Sequence, residues 1–351
     1  MSKIGCAILD LDQMLGFLLR YQNRPRLWGP VMTGHAVSSY TFSELSELPT
    51  RLRTMQVHGV ALFPHEFEAS VASLDFGDFA VETIRTSPAL LIEASESGRA
   101  GCLLMLEGVK RAKWDGRAVD RFDVASLEPA TRLVGSFYDP FACAFISTEE
   151  DAAEAFFGSS KQFANRRSGA PVQRATPTAH VRLSNCMREA ERIARYAPDV
   201  FRDDPSRIGL RASLIDAARS LFAPTGVSSP ARNRAVSRHR IVRLVDEHLC
   251  ANPVRPVYTD DLCQALGVSA SALREAFYAV FGISPHRYLK LRRMSLARAA
   301  LLSSSGPWRS VKAAALSHGF WHLGQFAQDY REIYGELPSA TLARGRPDVR
   351  G

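Results

Sequence analysis

The chain has 351 residues, 46% of them apolar and 23% charged, with 44 Lys+Arg against 36 Asp+Glu and a formal net charge of +8. That composition reads as a soluble globular protein of two or three domains and excludes wholesale disorder, a collagen-like fibre and a small disulfide scaffold. No stretch reaches the ~18 uninterrupted apolar residues of a membrane span, and no apolar h-region precedes Asp10, so a cytoplasmic location is expected.

The charge is unevenly spread. Residues 1–160 hold 14 basic and 21 acidic side chains, a net of −7; residues 161–234 have a net of +8 and residues 235–351 of +7. An acidic first half followed by basic segments is the asymmetry of a chain that meets a polyanion at one end, although a basic surface without a partner accounts for charge alone equally well. Cys6, Cys102, Cys143, Cys186, Cys250 and Cys263 show no C-x-x-C spacing and read as reduced thiols. The nine histidines show no H-x-H or H-E-x-x-H, so neither a metal nor another cofactor is expected.

In chain order, residues 4–21 could form a short apolar helix. From Val31 to Ile146 short runs alternate with Gly, Pro, Asp and Ser: Phe76–Arg85 has stretches of alternation, Cys102–Leu106 is a buried run, and Asp115-Gly116 divides strand-like flanks. These spacings predict an antiparallel β-rich unit, and no Gly-rich phosphate loop follows any strand. Around Ser147-Thr-Glu-Glu the pattern turns helical with a capping-type start. Residues 159–177 read as a loop, and amphipathic helices are expected near 178–196 and 206–222. The Pro/Ser/Gly/Arg-rich stretch from Ala223 to Arg234 reads as a linker. The expected layout is a β-rich sensing domain over 1–160, a helical extension and candidate dimerisation surface over 161–225, a linker over 226–235, an all-α domain over 236–345 and a tail over 346–351.

The last segment repeats itself. Gly267, Leu273, Phe277, Phe281-Gly282 and Pro285 recur as Gly319, Phe326, Tyr330, Tyr334-Gly335 and Pro338, offset by 52 at the first glycine and by 53 from Leu273 onward. A short helix, a glycine turn and a second, steeply crossing helix make a helix-turn-helix. Cys263 and Ala315, four residues before the glycines, are small enough for close helix approach, and Gly267 and Gly319 suit a backbone conformation that a β-carbon penalises. Ser269 is placed to cap the second helix. Leu273 and Phe277, like Phe326 and Tyr330, would face the core, leaving Ser271, Arg274 and Glu275, and Leu323, Gly324 and Gln328 with His322 and Gln325, facing outward. Pro285–Leu302 reads as one intervening helix carrying Lys290, Arg292, Arg293 and Arg298. A helix of about 15 residues spans about 22 Å, enough to hold two reading helices in successive major grooves. Its cations are candidate phosphate contacts. Two helical hairpins that bind protein are the alternative.

Gly319-Phe-Trp-His-Leu-Gly-Gln-Phe-Ala-Gln-Asp-Tyr330 with Tyr334-Gly-Glu-Leu-Pro-Ser339 resembles the second helix-turn-helix of AraC/XylS-type regulators, and Leu262–Ser269 with Phe281-Gly-Ile-Ser-Pro285 and Tyr288-Leu289 resembles the first. The resemblance covers about 236–345, and the string Gly319–Gly324 is most similar to the branch containing the ethanolamine-utilisation regulator. It implies an α+β multidomain protein: an N-terminal β-rich, cupin-like sensor with helices, and a C-terminal all-α domain of two helix-turn-helix units on a linker helix. It further implies a sequence-specific transcription factor, usually an activator, reading a double-stranded DNA operator with helices near 270–281 and 322–334. Its partners would be RNA polymerase, a small-molecule effector and a second copy of the chain.

By position, the family's base readers fall on Ser271, Arg274 and Glu275, and on Leu323, Gly324 and Gln328. Many members carry a basic residue where this chain has Glu275 or Gln328, and Leu323-Gly324 offers no side-chain hydrogen bond. Arg274 is therefore expected to be the main base reader, with the second unit leaning on His322, Gln325, Gln328 and shape, while Glu275 can accept from cytosine N4. Trp28, Phe63, Phe76, Phe79 and Trp114 could wall an effector pocket, but core is the preferred reading of each. The other reading is a cupin-type metal enzyme fused to a DNA-binding tail; it would need His35, His58, His65 and Glu66 as ligands.

Overall fold

The short runs of the first half become strands, in a computed structural model that describes residues 36–62, 66–87, 90–96, 99–127, 132–149, 153, 170–222, 233–252, 255–303 and 310–346. The expected helix at 4–21, Cys6, Trp28, His35, Phe63 and His65, and the stretch 223–232 of the expected linker lie outside the described residues. In order, the strands are β1 (Ala36–Phe42), β2 (Met55–Ala61), β3 (Ala69–Asp75), β4 (Phe79–Thr86), β5 (Leu90–Glu96), β6 (Ala100–Glu107), β7 (Ala112–Trp114), β8 (Arg117–Ala118), β9 (Asp123–Leu127), β10 (Arg132–Phe137), β11 (Phe141–Thr148) and β12 (Val172–Arg174). They pair as a seven-stranded sheet, β1-β3-β4-β11-β6-β9-β12, and a five-stranded sheet, β2-β5-β10-β7-β8. The described pairings are antiparallel, as with Phe145 opposite Glu82 and Leu103. Asp115-Gly116 forms the β7–β8 turn with φ of 50° and 75°, the left-handed pair that suits a two-residue hairpin.

The seven-stranded sheet is covered on both faces. Along β6, Leu103 and Met105 point into a core shared with Val57, Leu90, Trp114, Leu133 and Phe137 of the other sheet. Cys102, Leu104 and Leu106 point the other way, onto α1 (Pro177–Tyr196) and α2 (Asp204–Leu221). Helix α1 offers Ala179, Leu183, Met187, Ala190 and Ala194, spaced three and four apart on one side. Double burial explains why Cys102–Leu106 is an unbroken apolar run. It also corrects the alternation expected over Phe76–Arg85: in β4 only Arg85 is less than fully buried. Phe76 and Phe79 belong to the sheet–helix core and Trp114 to the inter-sheet core.

Thr176 caps α1 by accepting from the Ala179 amide, and Asp203 caps α2 by accepting from Ser206. Glu191 on α1 pairs with Arg85 of β4 at 2.8 Å and with Arg195 at 3.1 Å, tying helix to sheet. The helical start expected at Ser147-Thr-Glu-Glu is corrected: Ser147 and Thr148 are the last residues of β11 and fully buried. A Ser-Thr pair before acids fits either a cap or a strand end, and here pairing with β4 and β6 on both sides keeps the backbone extended.

The remaining helices are α3 (Asn233–Ala251), α4 (Thr259–Leu266), α5 (Ala270–Phe281), α6 (Pro285–Leu302), α7 (Val311–Ser317), α8 (Leu323–Tyr334) and α9 (Pro338–Gly345). The described residues fall into two compact units. One contains the sandwich, α1 and α2, the chain up to Arg243, and Val268–Pro285 with α5; the other contains Leu244–Gly267 and the chain from His286 onward. Thus α5 belongs to the sandwich's unit.

Candidate nucleic-acid interface

Both repeats take the same local form. Each has a short helix of 8 or 7 residues, a glycine with positive φ, and a helix of 12 residues ending on another such glycine. Gly267 and Gly319 sit at φ of 63° and 77°, and the closing Gly282 and Gly335 at 69° and 72°. Ser269 accepts from the Ala272 amide at 3.2 Å, the expected cap. The second turn is braced from outside: the Gly319 carbonyl accepts from the Tyr258 hydroxyl and from Arg293 Nη1, each at 3.2 Å.

Side chains divide by helical period. Leu273 and Phe277 on α5 are fully buried, while Ser271, Arg274, Glu275 and Tyr278 form an exposed stripe. On α8, Phe326 and Tyr330 are buried with Ala314, Ala315 and Phe320 against Met294, Ala297 and Leu301 of α6. His322, Leu323, Gly324, Gln325 and Gln328 are exposed, and a β-carbon at Gly324 would meet nothing within 4 Å. Two of the outward polar groups are already engaged. Glu275 pairs with Arg238 of α3 at 3.3 Å, and Gln325 donates to buried Asp329 at 3.0 Å.

The cations of α6 are all engaged within the fold. Lys290 pairs with Asp329 at 2.8 Å, and Arg292 donates to the Leu249 carbonyl at 3.2 Å. Arg293 lies over the rings of Tyr258 and Phe320, with centroid distances of 4.6 and 5.0 Å. Burial lowers its pKa from the usual guanidinium range. Arg298 packs over Tyr334 and pairs with Glu336 at 2.8 Å. Burial works against ionisation of Glu336, but hydrogen bonds from Arg344, Thr341 and Arg298 outweigh it and hold the carboxyl at about 2.

Comparison with known proteins bears on this half. A family described as a helix-turn-helix domain matches residues 262–344. The XylDLEGF operon transcriptional activator of Pseudomonas putida is 34% identical over 113 residues, 32% of this chain and 34% of that protein. A probable thc operon regulatory protein of Rhodococcus erythropolis is 35% identical over 102 residues, 29% and 31% of the two chains. The crystal structure of a probable AraC family transcriptional regulator from Rhodopseudomonas palustris CGA009 shares 42% identity over 31% of this chain and 99% of that one, with a TM-score of 0.28. Over this segment the chain is similar to helix-turn-helix transcriptional regulators. It spans about a third of the length of the two curated relatives above.

The helix-turn-helix segment also exposes two aromatics that the sequence pattern does not assign. Trp321 is 70% exposed directly before α8, and Tyr278 is 51% exposed on the stripe of Arg274. The available signal was their position off the Phe326/Tyr330 and Leu273/Phe277 periods. Among the described residues no group of three or more His, Cys, Asp or Glu is placed to hold a metal, and no helix is long and apolar enough to cross a membrane. Of the residues weighed for a metal site, His58 lies on β2 and Glu66 is exposed.

Proposed function

We propose that the chain is a sequence-specific transcription regulator, an effector-responsive activator that reads two successive major grooves of an operator with α5 and α8. The observation carrying this reading is the duplicated pair of 12-residue helices, each opened and closed by left-handed glycines and each presenting an exposed polar stripe. Arg274 reads a base through a bidentate contact, assisted by Ser271 and Glu275. On α8, His322, Gln325 and Gln328 supply polar contacts, and Leu323, Gly324 and Trp321 form an apolar surface for thymine methyls and sugar. Lys290 and Arg292 are the phosphate contacts of α6, and Arg293 and Arg298 brace the fold.

In this reading residues 1–160 form a cupin-like effector sensor, 161–225 a helical extension that supports a homodimer, 226–235 a linker and 236–345 the two-unit DNA-binding domain, in a cytoplasmic protein that works with RNA polymerase. The similarity of Gly319–Gly324 to the ethanolamine-utilisation branch is part of the proposal. The relatives named above are regulators, which favours this reading over a cupin-type metal enzyme. Selection from a random duplex library with the full chain tests it: two enriched motifs about one helical turn apart are expected. Retention of all duplexes alike would refute it.

A further inference from the structure

The reading helix α5 ends on the outer face of the five-stranded sheet. An α-helix leaves its last four carbonyls without intrahelical partners, and the negative end of its dipole favours a cation there. Helix α5 has no basic residue in its last turn. The sheet supplies what the helix lacks: Lys113 Nζ of β7 donates to the Ala279 carbonyl at 3.2 Å, Ser136 of β10 donates to Val280 at 3.0 Å, and the Tyr138 hydroxyl donates to Phe281. The Tyr278 carbonyl accepts from the Gly282 amide at 3.1 Å, so all four are satisfied. A β-carbon at Gly282 would collide with the Tyr138 hydroxyl.

This is a built seat. In β10, Leu133 and Phe137 point into the inter-sheet core, so Val134 and Ser136 point outward; yet they are only 2% and 1% exposed. The seat takes the C-terminal end of the helix alone, and Ser271, Arg274 and Glu275 stay exposed while it is occupied.

We propose that Lys113, Ser136 and Tyr138 are positioning residues for DNA reading: the sandwich fixes the helix that reads the first half-site by capping its C-terminal carbonyls. The inference rests on the function proposed above and adds that the sandwich sets the orientation of α5 directly. Its test uses the full chain carrying Lys113→Met, Ser136→Ala and Tyr138→Phe together, which removes the three donors and keeps most of the side-chain volume. The expected loss is about tenfold in affinity for the selected operator, the effect of removing hydrogen bonds to carbonyls. The loss should vanish on an operator scrambled where Arg274 reads. Unchanged affinity, equal loss on both operators, or tighter binding would overturn the proposal, the last by making the seat a restraint. Hydrogen exchange of residues 277–283 without DNA keeps this test separate from that of the function. Exchange about tenfold faster in the variant is expected, and unchanged exchange refutes the seat even if no operator is found.

Discussion

Gly267 and Gly319 occupy the same place in the repeat, yet alanine should affect them differently. Both sit at left-handed φ, where an L residue costs about 1–2 kcal/mol. At Gly267 the new methyl meets nothing within 4 Å, so the cost ends there. At Gly319 it would lie 2.6 Å from the Tyr258 hydroxyl oxygen and 2.7 Å from Pro256 Cβ. Overpacking of that kind adds about 1–3 kcal/mol. Gly319→Ala is therefore expected to cost about 2–5 kcal/mol against about 1–2 for Gly267→Ala. Urea unfolding of the full chain, followed by helical circular dichroism, measures both. Adding Tyr258→Phe to Gly319→Ala should recover part of the loss, although alone it forfeits the hydrogen bond to the Gly319 carbonyl, worth about 0.5–1.5 kcal/mol. The reasoning fails if the two alanines cost the same, or if the Tyr258 and Gly319 changes add within about 0.5 kcal/mol.

Arg274→Ala should cost about 1–3 kcal/mol on the selected operator and relax base preference at one position; an equal loss on every sequence would make it a phosphate contact. Arg292→Gln should weaken binding on all sequences and flatten the salt dependence by about one unit, and an unchanged slope would remove α6 from the interface. Glu336→Gln should cost about 1.5–3 kcal/mol, because Arg298 and Arg344 both donate to that carboxylate. Its folded value of about 2 lies below the ordinary 4.5, so this stability is complete above pH 4.5 and is lost as pH falls through 2. His318 is 8% exposed, donates through Nδ1 to the Ala314 carbonyl at 2.7 Å, and has its pKa lowered by burial. Below about pH 6.5 the unfolded chain takes up a proton that the folded imidazole refuses, so stability should fall with acidification. His318→Asn should flatten that slope in thermal melts at pH 7.5 and 5.5, and an unchanged slope would refute the assignment.

The repeat was legible because it is local. Turn glycines, the cap at Ser269 and the apolar period of α5 and α8 lie within a dozen residues of one another, and each maps onto an observed feature. The antiparallel strands and both helices after residue 176 were legible for the same reason. Strand pairing was not: β11 lies between β4 and β6, and β2 pairs with β5 in the other sheet. Nothing in a strand's own alternation names its partner once both faces are apolar. The place of α5 was equally hidden. The sequence of α5 shows a helix that lacks a C-terminal cation, but Lys113, Ser136 and Tyr138 come from more than 140 residues away.

The cations of α6 show the limit of counting charge. A net of +7 over residues 235–351 treats every Lys and Arg as part of one external field. Arg293 spends its charge on two aromatic faces and the Gly319 carbonyl, and Arg298 on Glu336 and the Tyr330 hydroxyl. A guanidinium held that way cannot release counterions from a phosphate without first leaving its partners, and 14% exposure at Arg298 gives it little access. The partners at Tyr258, Phe320, Tyr330 and Glu336 lie 27 to 38 residues from the cations they hold. No window of one helix reveals them. The external field is thereby weighted toward exposed cations such as Arg274 on the outward stripe of α5, so α6 acts first as the brace of the second repeat.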